Sequence, residues 1–173
     1  MKIEIGPRWG KIDDTWTTVG LYPAPYVDIV ADWSDRLPFP DDSADVIYAS
    51  HVLEHISWEK TVDALIEAWR VLKVCGVLEI HVPDISKIVG AYLGGNCLDD
   101  WRHANPEGDF MRWINGRIYA YGNLGNHHRA IFDRPYLTRC LIAAGFIFFR
   151  DDAPVRGISA HREIDLAISA VKV

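Results

Sequence analysis

Cysteine is scarce in this sequence, with three residues among 173, and no pair of them has CxxC spacing. Cys75, Cys97 and Cys140 are an odd and widely separated set. Such a set does not build a disulfide framework, and it lacks the ligand spacing of a structural zinc site. We therefore predict ordinary thiols in a reducing, cytoplasmic compartment.

Long apolar runs and an excess of basic charge are also missing. The longest uninterrupted apolar run, residues 140–149, is ten residues long, whereas a membrane-spanning helix needs about 20. The first residues lack the apolar core of a signal peptide. The formal net charge of −6 is opposite to that of a broad nucleic-acid surface. We therefore expect a soluble protein with neither a membrane nor a nucleic acid as partner.

The length and composition favour one packed domain. Hydrophobic residues make up 49% of the chain, which is enough for a core, and domains commonly run to about 100–200 residues. Short β-type segments alternate with helical patterns, as in a mostly parallel sheet covered by helices. We predict an α/β fold as a single domain over residues 1–173, with residues 96–132 as an irregular excursion.

The pattern predicts seven strands and three clear helices, and the first half has little room for helices. Pro23 and Pro25 stand between the second and third strands and exclude a regular helix there. The N-terminal half of the fold is therefore predicted to be shortened. The predicted strands are Lys2–Ile5, Thr17–Val19, Tyr26–Ala31, Ala44–Ala49, Val77–Val82, Phe146–Arg150 and Glu163–Val171; the helices follow caps at Ser57 and Asp133 or begin at Ile85.

Ligands of open α/β sheets bind beyond the carboxyl ends of the strands. That rule reduces the candidate site to the residues that follow each predicted strand. They are Gly6, Gly20, Asp32, Trp33, Ser50, His51, Pro83 and Asp84.

Residues 45–55, DVIYASHVLEH, resemble the middle of a class I S-adenosylmethionine (SAM)-dependent methyltransferase. Residues 30–32 and 37–41 continue the match, and Leu141–Phe146, LIAAGF, resembles the tail of a compact, methyltransferase-11-like subgroup. The resemblance implies a Rossmann-like sheet of about seven strands whose last strand is antiparallel. It also implies SAM as the cofactor and methyl transfer as the activity.

The resemblance also assigns cofactor-binding roles by position. Glu4 and Gly6 fall in the loop that approaches the amino-acid part of SAM. Asp32 corresponds to the carboxylate that accepts a hydrogen bond from the adenine amino group, with Trp33 beside the ring. Two other readings stay open, because Asp32 also suits a cap before Ser34 and Gly6 also suits an ordinary turn.

Ser50 and His51 correspond to the segment that flanks the cofactor after the fourth strand. Two departures concern the front of the site. The first loop has fewer glycines than the family usually carries, and glycine is what lets a backbone approach a ligand closely. Gly20 stands where the family places an acid for the ribose hydroxyls, and the nearest later acid is Asp28.

Candidate catalytic residues are His51 and His128, the latter as a general base for an acceptor hydroxyl. The aromatic and histidine-rich residues 96–132 suit an acceptor pocket, or else packing on the sheet or a homodimer contact. His51 and His55 are spaced to share a helical face, but no third ligand stands nearby. No metal site is therefore predicted.

The leading hypothesis is a SAM-dependent methyltransferase acting on a small-molecule or glycan-like acceptor. The alternative is a non-catalytic protein with the same fold that binds a nucleoside or a protein partner. A nicotinamide-dependent oxidoreductase is disfavoured because neither GxGxxG nor an acid after the second strand is present. A serine hydrolase would need a GxSxG elbow around Ser50.

Overall fold

A computed structural model describes residues 1–95, 109–120, 127–157 and 163–173. The strands are β1 (Lys2–Ile5), β2 (Trp16–Gly20), β3 (Ile29–Val30), β4 (Ala44–Ser50), β5 (Leu72–Pro83), β6 (Phe148–Arg150) and β7 (Asp165–Val171). The helices are α1 (Thr61–Val71), α2 (Ile85–Gly94), α3 (Phe110–Tyr119) and α4 (Arg134–Ala143), and Leu53–His55 forms a 3-10 turn. None of the described helices is both long and apolar enough to cross a membrane.

The seven strands form one mixed sheet in the order β3-β2-β1-β4-β5-β7-β6. β1 pairs in parallel with β2 and β4, and the parallel ladders continue to β3 and β5. β7 lies between β5 and β6 and is antiparallel to both. The predicted α/β sheet, with its last strand antiparallel, is confirmed.

One face of the sheet is apolar and lies under helices. A row of residues in register crosses five strands there: Val19, Ile5, Ala49, Ile80 and Ile168. All are buried in one apolar core, which also holds the inward side chains of α1 and α4. Burying such side chains removes apolar area from water at about 25 cal/mol per Å², so this face supplies most of the driving force for folding.

The opposite face carries a row of polar residues, each next in sequence to a residue of the apolar row. Thr18, Glu4, Tyr48, Glu79 and Ser169 are in register with one another and are all buried. Since successive side chains of a strand point to opposite faces, this row lies directly behind the apolar one. Buried polar groups need hydrogen-bond partners, so this face requires a different cover.

Loops supply that cover. Ile12 N donates to Glu4 Oε2 at 3.0 Å, which brings the β1–β2 loop against the sheet. Arg156, in the loop before β7, pairs with Glu79 through both of its carboxylate oxygens. The Tyr48 hydroxyl donates to Arg156 O at 2.9 Å. The shortening predicted for the N-terminal half therefore takes the form of loops in place of helices.

The third strand is shorter than predicted, with Ile29–Val30 in place of residues 26–31. The cause is Asp28, whose Oδ2 accepts hydrogen bonds from Thr18 N at 2.9 Å and from Thr18 Oγ1 at 3.0 Å. A carboxylate here takes the place of a backbone carbonyl, so the β2–β3 ladder begins only at Val19 and Ile29.

The predicted cap of the first helix at Ser57 is wrong. Ser57 closes a turn by accepting from Lys60 N at 2.8 Å, and α1 begins at Thr61. The helix ends at Val71 because Leu72 already pairs with Ala44 in the sheet. Gly76 lies inside β5, beside a register shift of that strand.

The other caps follow the sequence more closely. Asp133 caps α4 by accepting from Tyr136 N at 2.7 Å, as predicted. The expectation of an irregular excursion over 96–132 needs correction, because Asp109 accepts from Met111 N and begins α3 within it. Apolar side chains of α2 and α3 form a second, smaller cluster. Trp101, His103 and Tyr121, expected in an acceptor pocket, lie outside the described residues.

Candidate functional site

Gly6 follows β1 and turns the chain with a left-handed backbone, at φ +73°. Its N–H donates to Val19 O at 2.8 Å. A methyl group added at Gly6 would lie 2.3 Å from Val52 Cγ2, closer than any real contact. The glycine is therefore already required by the chain's own packing, and the space before it holds a valine side chain.

Gly20 and Glu4 are likewise engaged within the chain. A methyl group at Gly20 would lie 2.8 Å from Val27 Cγ2. Glu4 is buried beneath the β1–β2 loop, and burial raises the pKa of its carboxyl despite the bond from Ile12 N. The front of the sequence-predicted cofactor site is thus packed with this chain's own groups.

Asp32 caps the loop after β3, which is the second reading that the sequence left open. Its Oδ1 accepts from Ser34 N at 2.8 Å and from Ser34 Oγ at 2.7 Å. The residue is exposed, so Oδ2 can still accept from a ligand. Trp33 points the other way: it is 3% exposed and belongs to the apolar core, where its Nε1 has no hydrogen-bond partner.

Ser50 and His51 stand at the carboxyl end of β4. Ser50 Oγ is buried without a hydrogen-bond partner. His51 has a left-handed backbone at φ +55°, and its ring is held between two carboxylates. Nδ1 lies 3.1 Å from Glu54 Oε1, and Nε2 lies 3.1 Å from Asp165 Oδ1.

These contacts set the charge of His51. Burial disfavours the imidazolium, but the hydrogen bonds and charges of Asp165 and Glu54 outweigh it and raise the pKa of His51 to about 9. Burial would raise the pKa of Glu54, and the contact with His51 instead holds it below its ordinary value. The edge of the sheet thus contains a half-buried imidazolium between two carboxylates.

His128 approaches Glu54 from the other side, with Nε2 3.9 Å from Glu54 Oε1. The segment before α4 carries it there, since Phe132 bridges Asp84 beyond the end of β5. Its Nδ1 lies 3.0 Å from Arg117 O, and burial lowers the pKa of its ring.

A shallow cleft opens between β5, α2, α3 and this segment. Its lining is Glu54, Pro83, Ile85, Ile88, Arg117, Ile118, His128, Ala130 and Ile131.

The structure brings together His51 and His128, the two candidate catalytic residues, through Glu54. It does not bring Asp32 or Trp33 to that cluster. Sequence reasoning missed Glu54 and Asp165. Glu54 stands three residues after His51 in the most specific run of the sequence, a spacing that could have identified it. Asp165 has no local signal, because only the pairing of β5 with β7 places it there.

Comparison with known proteins supports the same fold. A family described as a methyltransferase domain matches residues 17–80. No curated protein matches the chain at a significant level. The chain is similar to a solved SAM-dependent methyltransferase of Thermotoga maritima, described as a possible histamine N-methyltransferase: 18% identity, TM-score 0.60, 99% of this chain and 82% of that one.

Two archaeal structures give comparable values. A SAM-dependent methyltransferase of Methanosarcina mazei is 16% identical, with a TM-score of 0.58 over 99% of this chain and 92% of that one. A SAM-dependent methyltransferase of Archaeoglobus fulgidus is 14% identical, with a TM-score of 0.58 over 99% of this chain and 85% of that one. At these identities the likeness establishes the fold alone. The chain thus has the fold of the SAM-dependent methyltransferases, and its residues 17–80 match the methyltransferase-domain family.

Proposed function

We propose that this protein is a SAM-dependent methyltransferase and that it acts on a small-molecule or glycan-like acceptor bound in the cleft beside Glu54, Arg117 and His128. The observation that carries the proposal is the make-up of this cleft. It combines apolar walls from α2 and α3 with a carboxylate, a guanidinium and an imidazole, the mixture that orients polar ligands in protein sites.

The cofactor side fits SAM in part. The exposed Asp32 offers Oδ2 to an adenine amino group, and the buried, unpartnered Ser50 Oγ offers a hydrogen bond at the end of β4. Gly6 and Gly20 fit less well, since Val52 and Val27 fill the space before them. Cofactor binding in this position therefore requires the Val52 side chain to move.

His128 is the residue best placed to take a proton from an acceptor. Its Nδ1 lies against the Arg117 carbonyl, which only accepts, so Nδ1 carries the hydrogen and Nε2 keeps a lone pair. SAM, if bound, would supply a methyl group whose bond to sulfur breaks as the bond to the acceptor oxygen forms, and Nε2 of His128 would take the hydroxyl proton. Glu54, with Oε1 3.9 Å from that nitrogen, stabilises the imidazolium so formed.

Calorimetric titration with S-adenosylhomocysteine tests the cofactor side. Asp32→Asn keeps an acceptor for Ser34 but replaces the second oxygen with a donor, which opposes the adenine amino group. We expect wild type to bind and Asp32→Asn to bind about tenfold or more weakly, because a charged hydrogen bond contributes about 1.5–3 kcal/mol. Asp35→Asn, in the same loop, is the matched control and leaves affinity unchanged. Absence of wild-type binding at millimolar ligand would overturn the proposal.

The alternative, a non-catalytic protein with this fold, is favoured by the valine in front of Gly6. Val52→Ala separates the two. In an enzyme whose cofactor must displace that side chain, truncation tightens S-adenosylhomocysteine binding. In a protein that has given up the cofactor, neither wild type nor Val52→Ala binds it. The homodimer and the cytoplasmic location stay predictions.

A further inference from the structure

Three side chains with metal-ligating atoms converge beside the cleft: Glu54, His55 and His128. One carboxylate oxygen of Glu54 and one ring nitrogen of each histidine all lie within 4.8 Å of one another. The backbone fixes the arrangement, because Glu54 O accepts from Arg129 N at 2.7 Å and from Ala130 N at 3.1 Å. The 3-10 turn and the segment before α4 are therefore tied at the place where the cluster forms.

Both histidines have their Nδ1 against a backbone carbonyl. His55 Nδ1 lies 3.3 Å from His127 O, and His128 Nδ1 lies 3.0 Å from Arg117 O. A carbonyl oxygen only accepts, so each Nδ1 donates and each neutral ring keeps its lone pair on Nε2. The two rings stand edge to face with centroids 4.8 Å apart. Metal-bound histidines almost always hold their second nitrogen in this way.

Glu54 supplies a second, independent observation. Its side chain is 1% exposed, and Oε2 has no hydrogen-bond partner, while Oε1 is held by His51. An unpartnered buried carboxylate oxygen is costly, and the two Nε2 lone pairs have no proton to give it. Three acceptors thus share a small space, and a cation satisfies all of them together.

We propose that Glu54, His55 and His128 form a binding site for a divalent transition-metal cation, with Zn²⁺ as the simplest occupant. Two imidazoles and one carboxylate are ligands that Zn²⁺ and Fe²⁺ accept. Zn–N bonds of about 2.0–2.1 Å draw ligand atoms closer together than the 4.8 Å seen here, so binding requires small rotations of these side chains. The sequence paired His55 with His51 and found no third ligand; the fold pairs it with Glu54 and His128.

Three protein ligands leave a coordination position open, as in catalytic zinc sites. Glu54 and His128 both line the cleft, so the open position is available to an oxygen or nitrogen donor of the acceptor. This role rests on the proposed function, whereas metal binding does not. The bound cation and the general base exclude each other, because His128 Nε2 has a single lone pair. With the cation present, the metal would acidify the acceptor hydroxyl in place of His128.

The test is metal titration of the whole chain after treatment with a chelator. Zn²⁺ binding is followed by calorimetry and Co²⁺ binding by its visible absorption. We expect one cation per chain. His55→Ala should weaken binding by about 100-fold or more, exceeding the loss typical of an outer-shell partner. His127→Ala is the matched control: its exposed ring is outside the cluster, and its carbonyl is kept.

Stoichiometric binding that survives in His55→Ala, or no stoichiometric binding by wild type, would overturn the metal site. The far-ultraviolet circular dichroism of metal-free His55→Ala checks that it folds, and Glu54→Gln gives a second variant that keeps the shape of the side chain. S-adenosylhomocysteine titration of the same samples separates the two proposals. If the wild type binds metal but does not bind S-adenosylhomocysteine, only the proposed function is overturned. If it binds S-adenosylhomocysteine but does not bind metal, only the metal site is overturned.

Discussion

The two faces of the sheet are built on neighbouring rows of residues and are stabilised in opposite ways. On one face Ile5 and Ile80 pack under α1 and α4 in an apolar core. On the other, Glu4 and Glu79 are just as buried but need specific donors. The apolar face tolerates any cover of the right shape, whereas the polar face requires one particular loop at each position.

The difference shows how a sheet keeps its order after losing covering helices. Where a helix would bring apolar side chains, the β1–β2 loop brings a backbone N–H to Glu4, and the loop before β7 brings Arg156 to Glu79. Each donor offsets the cost of burying one acceptor. Loops can replace helices on a sheet only where the residues beneath them have become polar.

Truncating a side chain of the apolar row should cause the largest loss of stability. Ile80→Ala removes a fully buried side chain between α1 and the sheet, and we expect a loss of about 2–5 kcal/mol in the free energy of unfolding. Urea unfolding measures it. Ile66→Ala, on the outer side of α1 and 45% exposed, is the control and should change stability by no more than about 0.5 kcal/mol. Equal losses would contradict the assignment of the core to this face.

Breaking the ion pair between Glu79 and Arg156 on the polar face should cause a smaller loss of stability. Glu79→Gln removes the charge that holds Arg156, and we expect a loss of about 1–2 kcal/mol, at the low end because the Arg156 side chain is 32% exposed. A double-mutant cycle with Arg156→Gln isolates the pair. Additive effects would show that loop and strand are not coupled through these two residues.

Removing a single hydroxyl should have a smaller effect. Tyr48→Phe keeps the ring but loses the oxygen that donates to Arg156 O and accepts from Arg156 N at 3.2 Å. We expect about 1 kcal/mol, because water can reach the backbone groups left behind in the loop. Amide hydrogen exchange of residues 153–157 should speed up, while that of α1 stays unchanged. Faster exchange throughout the protein would mean that the hydroxyl supports more than the loop.

The smallest effect concerns Asp28 at the edge of the polar face. The bond from Lys11, with those from Thr18, lowers its pKa from 3.8 to about 2. A folded-state pKa below the unfolded value gives stability that is present above about pH 4 and is lost as the pH falls towards 2. Thermal unfolding from pH 5 to pH 2 should therefore decline less steeply in Asp28→Asn. Identical slopes would show that folding does not lower the pKa of Asp28 in solution.

The comparison also explains what the sequence could predict. Apolar strands such as Ala44–Ser50 and the cap of α4 at Asp133 are local patterns, and both were predictable. The partners of the polar face were not, because Ile12 and Arg156 have nothing in their own neighbourhood that indicates a carboxylate. The helix α3 was missed because aromatic and polar residues hide its apolar side.

The candidate site divides in the same way. His51 and His128 were predictable as residue types near the end of a strand, and Glu54 stood within the run that carried the family resemblance. Their grouping was not predictable, since it depends on the backbone bonds from Arg129 and Ala130 to Glu54 O. For Asp32 the sequence left two roles open, a loop cap and an adenine contact. Its bonds to Ser34 confirm the cap and do not exclude the adenine contact.

The position of β7 has a consequence for how the molecule is made. β7 follows the other six strands in the chain, yet it lies between β5 and β6. Until the ribosome has released it, the edge of β5 stays unpaired, and such an edge readily pairs with other chains. The same strand delivers Asp165 to His51. The insertion of β7 therefore closes the edge of β5 against other chains and completes the carboxylate contacts of His51 in one step.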